Sequence, residues 1–404
     1  MSPSQAAVSR YEEHELPARA RDVMPSGNTR TTLFVPPTPP YARSGLGAMI
    51  EDQLGHHVID CNNNYTALIH GHGFGPIQEA VAKVLTTGTA FGLPTASEVD
   101  LAEHLCSRTG LNRWRFSNSG TEAVMTAVRG ARAFTGRDKI LRFAGSYHGT
   151  ADAVVDVMAP GIPSAVAAES IVVPQGDEEA FDAAMKRFGG GIAAVIIDLL
   201  PNRAGLVPAD RGFVDHVRES TRRTGSLLIV DEVITFRLAV GGLHTEYAVE
   251  PDLVTLGKVI GGGFPVGAVG GTEEVMNVFD PQGSAHVGWG GTFSANPVSM
   301  TAGLVALEYL DASAVERLNE LGNMLRRLLR AEGVAVNGFG SLSQIREELD
   351  LKRLWWELYL EGVLAGTNGL LALSTPMTDD DVRLIATTVA TVISAARQRN
   401  TTDD

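Results

Sequence analysis

Two short apolar runs in the chain each end in an ionisable residue. Leu227-Leu228-Ile229-Val230 leads into Asp231-Glu232-Val233, and Leu253-Val254-Thr255-Leu256-Gly257 leads into Lys258 and then Gly261-Gly262-Gly263. Each run reads as a buried strand of an α/β sheet, and ligands of open α/β folds bind at the carboxyl ends of such strands. An acid and a lysine 27 positions apart suit pyridoxal phosphate chemistry. The amine can condense with an aldehyde, and the carboxylate can keep a ring nitrogen protonated so that the ring withdraws electrons. A carboxylate ~4 Å from such a nitrogen gains about 4 kcal/mol at an effective dielectric of ~20.

Each residue also has a plainer reading. Most lysines are exposed, but Lys258 stands between an apolar strand and a glycine turn, a poor place for a solvated charge. Desolvation and a cationic ring would favour its neutral, nucleophilic form. A nucleotide phosphate loop is excluded, because Asp252 and Val259 occupy the positions that would need Gly and Ser/Thr. Glu232 beside Asp231 raises a magnesium site, yet neighbours on a strand point to opposite faces, so one of the two must face elsewhere.

Ser119-Gly120-Thr121-Glu122 precedes a helical segment, with Ser119 and Glu122 at capping-box spacing. The free amides of a helix start attract an anion, and glycine lets one approach closely; a capped helix that binds nothing is the plainer reading. Tyr147, in Gly145-Ser146-Tyr147-His148-Gly149, could stack on a flat cofactor or be structural. His70 and His72 have no third nearby ligand, so turn histidines are expected and no metal site is assigned.

The surrounding elements must position these groups. The 404 residues suggest two or three domains at roughly 150 residues each. From about Val99 to Val278, apolar strands (Ile140–Phe143, Ile171–Val173, Ala194–Asp198, Leu227–Val230) alternate with helical patterns (Glu122–Phe134, Phe213–Thr224). This is the mark of a mainly parallel sheet covered by helices. Val35-Pro36-Pro37-Thr38-Pro39-Pro40 forces an extended passage. Strand-like pieces follow over 47–60, and 71–76 read as a turn before a helix. A long helix starts at Pro297 and leaves the sheet domain, and residues from about 311 form a smaller α+β unit ending in a helix over 379–398. The expected division is an N-terminal segment 1–60 packing with the small domain, a large domain 61–305 and a small domain 306–404.

The net charge of −14 argues against nucleic acid, whose phosphates need clustered Lys and Arg. Cys61 and Cys106 are too few for a disulfide framework. No apolar run approaches the ~18 residues of a membrane span, and the charged start lacks a signal-peptide core. A soluble cytoplasmic protein is expected.

With Ser-Gly-Thr before a helix, then Tyr-His-Gly, Asp-Glu-Val, Leu-Gly-Lys and Gly-Gly-Thr-Phe-Ser-Ala-Asn-Pro in this order, the chain resembles the class III, fold-type I pyridoxal phosphate enzymes. Within them it is similar to the glutamate-1-semialdehyde aminomutase branch, which includes β-amino acid aminotransferases. The likeness runs from about Arg21 to Leu310 and resumes near Leu358. It implies that Lys258 is the Schiff-base lysine and proton shuttle. Asp231 would pair with the pyridine nitrogen, Val233 would pack on the ring, and Ser119, Gly120 and Thr121 would hold the phosphate. Tyr147 would stack on the ring, with His148 beside it among the cofactor-binding residues. Thr292 would reach the phosphate bound in the other subunit of a homodimer, and Arg30 would take a substrate carboxylate, which suits its fork of donors. The substrates implied are small amino and keto acids, in a biosynthetic role.

Three departures bear on substrate. Asp198-Leu199 replaces the usual Glu-Pro, and the following Pro201–Gly205 is closer to the β-amino acid enzymes. The chain is shorter than its relatives between Phe339 and Leu358. Asn368 stands where some β-amino acid aminotransferases carry an arginine. The leading expectation is a β-amino acid aminotransferase; the alternatives are an intramolecular aminomutase and a catalytically silent binding protein.

Overall fold

The computed structural model describes residues 3–283 and 286–402, which form two compact units, Gly75–Glu316 and Met1–Phe74 with Arg317–Asp404. The Gly75–Glu316 unit is built on seven strands. Their order across the sheet is Arg113–Ser117, Gly267–Gly271, Leu253–Gly257, Leu227–Asp231, Ile192–Ile197, Lys139–Phe143, Ser170–Val173. Gly267–Gly271 is antiparallel to both its neighbours, and the other pairings are parallel. Strands buried on both faces read as continuous apolar runs rather than alternating ones. Accordingly every residue of Ile192–Ile197, Leu227–Asp231 and Leu253–Gly257 is buried.

This topology brings the chemistry to one edge. Asp198, Asp231 and Lys258 stand at the carboxyl ends of three successive parallel strands. The register pairs Ile197 with Val230, and Asp231 with Thr255, so Asp198 and Asp231 are lateral neighbours. The antiparallel strand is thin by necessity. A Cβ on Gly267 would lie 2.0 Å from the carbonyl oxygen of Ser119, closer than any side chain is tolerated.

Helix Gly120–Thr135 lays Ala123, Val124, Ala127, Val128 and Ala131 against the sheet, a helical i, i+3/i+4 stripe of small residues. The helix expected to run on from Pro297 instead stops at Tyr309, and a second helix, Ala312–Ala331, begins. Two local contacts set the break. Arg108 donates to the carbonyls of Leu307 and Leu310 at 3.0 and 2.7 Å, and Asp311 Oδ1 accepts the Ala314 amide at 2.8 Å, restarting the helix as an N-cap.

The other unit contains a four-stranded sheet, Ala42–Leu46, Met49–Asp52, His57–Asp60 and Val363–Leu364 in order, and a three-stranded one, Val336–Phe339, Leu342–Ile345 and Leu370–Ala372. Tyr11, Val35, Val58, Trp355, Trp356 and Tyr359 form a core cluster here. The unit boundaries, 74/75 and 316/317, differ from the expected 60/61 and 305/306. Residues 61–74 are tied to the C-terminal part of the chain: Ala372 N donates to Cys61 O at 2.7 Å, Thr375 N to Ile69 O at 2.8 Å, and Asn63 Nδ2 to Ala372 O at 2.7 Å. Helix Pro297–Tyr309 stays in the Gly75–Glu316 unit, packed on helices Gly75–Leu85 and Ala96–Thr109.

One segment is conformationally unusual. Asn63, Asn64, Tyr65 and Thr66 all have left-handed backbone, with φ of 50, 49, 53 and 75°. L-residues visit this region singly and at a cost of roughly 1–2 kcal/mol each. The run is held by Asp60 Oδ1, which accepts the amides of Asn62 and Asn63 at 2.9 and 2.7 Å, and by Asn62 Oδ1, which accepts the amide of Tyr65 at 2.6 Å. Among the described residues, no single helix is long and apolar enough to cross a membrane.

Candidate active site

Asp231 is almost fully buried, and its carboxylate is heavily used. Oδ2 lies 2.7 Å from His148 Nδ1, while Oδ1 accepts from the Val233 amide and the Thr255 hydroxyl, both at 3.1 Å. A carboxylate offers about four lone-pair directions, so one remains for a further donor such as a protonated ring nitrogen. Glu232 faces the other way, as the strand alternation required. It accepts the amides of Leu243 and His244 at 2.8 and 2.6 Å and lies 2.7 Å from His244 Nδ1. Glu232 is therefore a structural cap.

Lys258 leaves its strand in a left-handed conformation, φ 51°, which is rare for a long side chain and persists where the surroundings over-determine it. Burial pushes its pKa below the ordinary lysine value, while the carboxylates of Asp231 and Asp198 pull the other way. Asp198 is itself pushed up from 3.8 to about 7, first by burial and then by neighbouring Asp231, against the stabilising Leu200 amide.

The anion cradle forms as the cap predicts. Ser119 Oγ accepts the Glu122 amide at 3.2 Å, and Glu122 Oε2 accepts the Asn118 amide at 2.5 Å. The reciprocal bond thus goes one residue earlier than in a strict capping box. Ser119 Oγ spends a lone pair on that amide and keeps its O–H to donate, so the hydroxyl and the amides of Gly120 and Thr121 are available to an anion. A Cβ on Gly120 would meet the Val233 methyls at 2.9 and 3.0 Å, so the glycine and the valine define one tight wall. Thr121 Oγ1 accepts the Thr150 amide at 3.3 Å, joining the cradle to the loop that carries Tyr147 and His148.

Tyr147 is about one-third exposed, and Arg203 places its guanidinium carbon 4.0 Å from the ring centroid. That cation–π contact occupies one face of the ring. His148 Nε2 is buried without a hydrogen-bond partner among the described residues. These features fit pyridoxal phosphate: an acid with one acceptor direction left, a lysine with a lowered pKa, a glycine cradle at a helix start and a partly exposed aromatic ring.

The structure thus gathers Ser119, Gly120, Thr121, Tyr147, His148, Asp231, Val233 and Lys258 in one unit. Thr292 lies exposed in the same unit, beside a shallow pocket of about 300 Å³ lined by residues 90–95. Arg30 belongs to the other unit, where its Nη1 donates to Asn64 Oδ1 at 2.7 Å. The turn histidines have protein partners: His70 Nδ1 lies 3.0 Å from Thr375 Oγ1, and His72 Nε2 lies 2.8 Å from Asp60 Oδ2. Thr255 and the stacking of Arg203 escaped the sequence reading. Both depend on contacts between residues distant in sequence, 24 positions for Thr255 with Asp231.

Residues 35–348 match the model of the aminotransferase class-III family. A glutamate-1-semialdehyde 2,1-aminomutase from Methanothermobacter thermautotrophicus is 41% identical over 330 residues, 79% of this chain and 78% of that protein. Among solved structures, an omega-transaminase from Sphaerobacter thermophilus is 40% identical, covers 96% of this chain and 99% of its own, and superposes with a TM-score of 0.92. A beta-phenylalanine aminotransferase from Variovorax paradoxus is 33% identical, covering 97% of this chain and 94% of its own, at a TM-score of 0.87. The chain belongs to the class III aminotransferases, the pyridoxal-phosphate-dependent transferases of this fold.

Proposed function

We propose that the chain is an aminotransferase that moves an amino group between a β-amino acid, or its keto counterpart, and a keto acid. The observation that carries this reading is the full-length likeness to a transaminase at 40% identity, joined to an arginine with most of its donors free. Pyridoxal phosphate, when bound, supplies an aldehyde that takes up the amino group and a ring that withdraws electrons.

The protein supplies the rest. The Ser119 hydroxyl and the amides of Gly120 and Thr121 at the helix start hold the phosphate. Asp231, fixed by His148 and Thr255, holds the proton on the ring nitrogen, and Val233 and Tyr147 enclose the ring. The Lys258 amine, depressed in pKa by burial, moves a proton at the substrate carbon as general base and then acid. Arg30 takes the substrate carboxylate through paired N–H donors. Thr292, exposed on its loop beside the exposed Phe293, donates to the phosphate held by a second copy of the chain, in a cytoplasmic homodimer.

The second reading, intramolecular transfer on glutamate 1-semialdehyde, is favoured by the 41% identity to an aminomutase. The two separate in a single-turnover experiment. Holoenzyme mixed with β-phenylalanine and a panel of β-amino acids, without keto acid, should show the absorbance change that accompanies amino-group uptake and release stoichiometric keto acid. No change across the panel, with turnover of glutamate 1-semialdehyde, selects the aminomutase. Lys258→Ala that kept both the visible cofactor band and turnover would overturn the lysine assignment.

A further inference from the structure

Asp198 follows the strand Ile192–Ile197, and the chemistry so far makes no use of its carboxyl. It is almost wholly buried, as is Asp231. The register that pairs Ile197 with Val230 sets the two acids side by side one step later, on strands ~4.8 Å apart. Residues paired across a parallel ladder share a face of the sheet. Both carboxyls therefore stand on the face where Asp231 meets the Thr255 hydroxyl.

Two carboxylates this close cannot both ionise freely away from water. The donors around them decide which keeps the charge. Asp231 receives the Val233 amide, the Thr255 hydroxyl and His148 Nδ1. Among the described residues, the carboxyl of Asp198 receives one donor, the Leu200 amide at 2.9 Å on Oδ1. Gln175 Nε2 goes to the backbone carbonyl of Asp198 instead, at 3.0 Å. Three donors favour a carboxylate far more than one does, so the charge resides on Asp231 and the proton on Asp198. The pKa of Asp198 follows this geometry. Burial first, then Asp231, raise it from 3.8 to about 7 against the Leu200 amide and His148, and Glu232 adds to the rise.

Lys258 feels both acids. Its amine is buried, and each carboxylate favours the ammonium over the neutral form. A lysine that serves as nucleophile and base needs the neutral form. Asp231 has to stay charged for the ring nitrogen, which leaves Asp198 as the acid whose charge can vary.

We propose that Asp198 is a positioning residue whose proton governs Lys258: as the acid it leaves the amine neutral and reactive, and as the carboxylate it holds the ammonium. The proposal concerns the amine and is independent of which amino acid the protein accepts.

Two measurements test it, one of them without cofactor. In the infrared spectrum of apo-protein carrying isotope-labelled aspartate, the carbonyl stretch of a protonated acid should be present on the acid side of about 7 and fade on the alkaline side. Asp198→Asn should abolish that band. The second measurement is the rate at which apo-protein takes up pyridoxal phosphate, followed by its visible band, which reports the fraction of neutral Lys258. With no carboxylate to hold the ammonium, Asp198→Asn should reach its plateau about one pH unit below the wild type, with uptake at about pH 8 roughly fivefold faster. A packing defect alone would slow uptake at every pH and leave the midpoint in place. Asp198→Ser, whose hydroxyl can still accept the Leu200 amide, serves if the asparagine variant does not fold. Absence of the protonated-acid band from the wild type, its survival in the variant, or a common midpoint for the wild type and a folded variant overturns the proposal.

Discussion

His148 Nδ1 stands 2.7 Å from Asp231 Oδ2, and both side chains are closed off from solvent. A carboxylate can only accept, so Nδ1 carries the proton and the imidazole is oriented by the bond. The imidazole, in turn, fixes the carboxylate against rotation. Hydrogen bonds to charged groups are worth ~1.5–3 kcal/mol. His148→Ala should therefore cut both cofactor affinity and kcat by about 10- to 100-fold, measured by equilibrium dialysis and by single turnover. His148→Asn, whose amide can donate, should recover part of the loss.

Gly120→Ala should weaken cofactor binding by about fivefold or more, since its new methyl meets the Val233 methyls at 2.9 and 3.0 Å and overpacking costs ~1–3 kcal/mol. Adding Val233→Ala opens that wall. The double variant should bind the cofactor more tightly than Gly120→Ala alone, as fluorescence titration would show.

The raised pKa of Asp198 makes a prediction about pH and stability. Its carboxyl titrates at 3.8 when free and at about 7 in the fold, so between these values the folded protein binds more protons than the unfolded chain. The stabilisation it contributes is complete below the free value and is lost as pH rises through about 7. In the apo-protein, Asp198→Asn should flatten the decline in denaturant midpoint between pH 5 and about 8. An unchanged slope would place the burden on another group.

Thr292 tests assembly. If it serves the phosphate of a second copy, Thr292→Ala should weaken cofactor binding by about 10- to 100-fold. Mixing Thr292→Ala with the inactive Lys258→Ala protein, under subunit exchange, should restore activity, because one site in each mixed dimer is then intact. Activity no higher than the sum of the two parents would place Thr292 in its own subunit's site or in none.

The strand ends were legible because a doubly buried parallel strand writes itself as an uninterrupted apolar run, and the residue that breaks the run is thereby marked. Asp231 and Lys258 stood out on that basis, and Ser119 through its cap spacing. The partner of Asp231 was hidden: His148 lies 83 residues away, a separation no periodicity records. The left-handed run at 63–66 was equally silent, since Asn-Asn-Tyr-Thr contains no glycine to announce it. The break after Tyr309 went unseen for a related reason, because Arg108 stabilises it from another helix. Local pattern reveals which residues are buried, whereas contacts far apart in sequence decide what they touch.

The glycine strand 267–271 has a further consequence. Gly267 is registered with Ser117 on one side and Gly257 on the other. The entry to the cradle and the residue before Lys258 are therefore two ladder steps apart, ~9.5 Å at the usual strand spacing. That gauge is set by main-chain hydrogen bonds, which substitutions of side chains do not stretch. The spacing between the strand that opens the cradle and the strand that ends at Lys258 is thus a property of the backbone rather than of the side chains around the ligand.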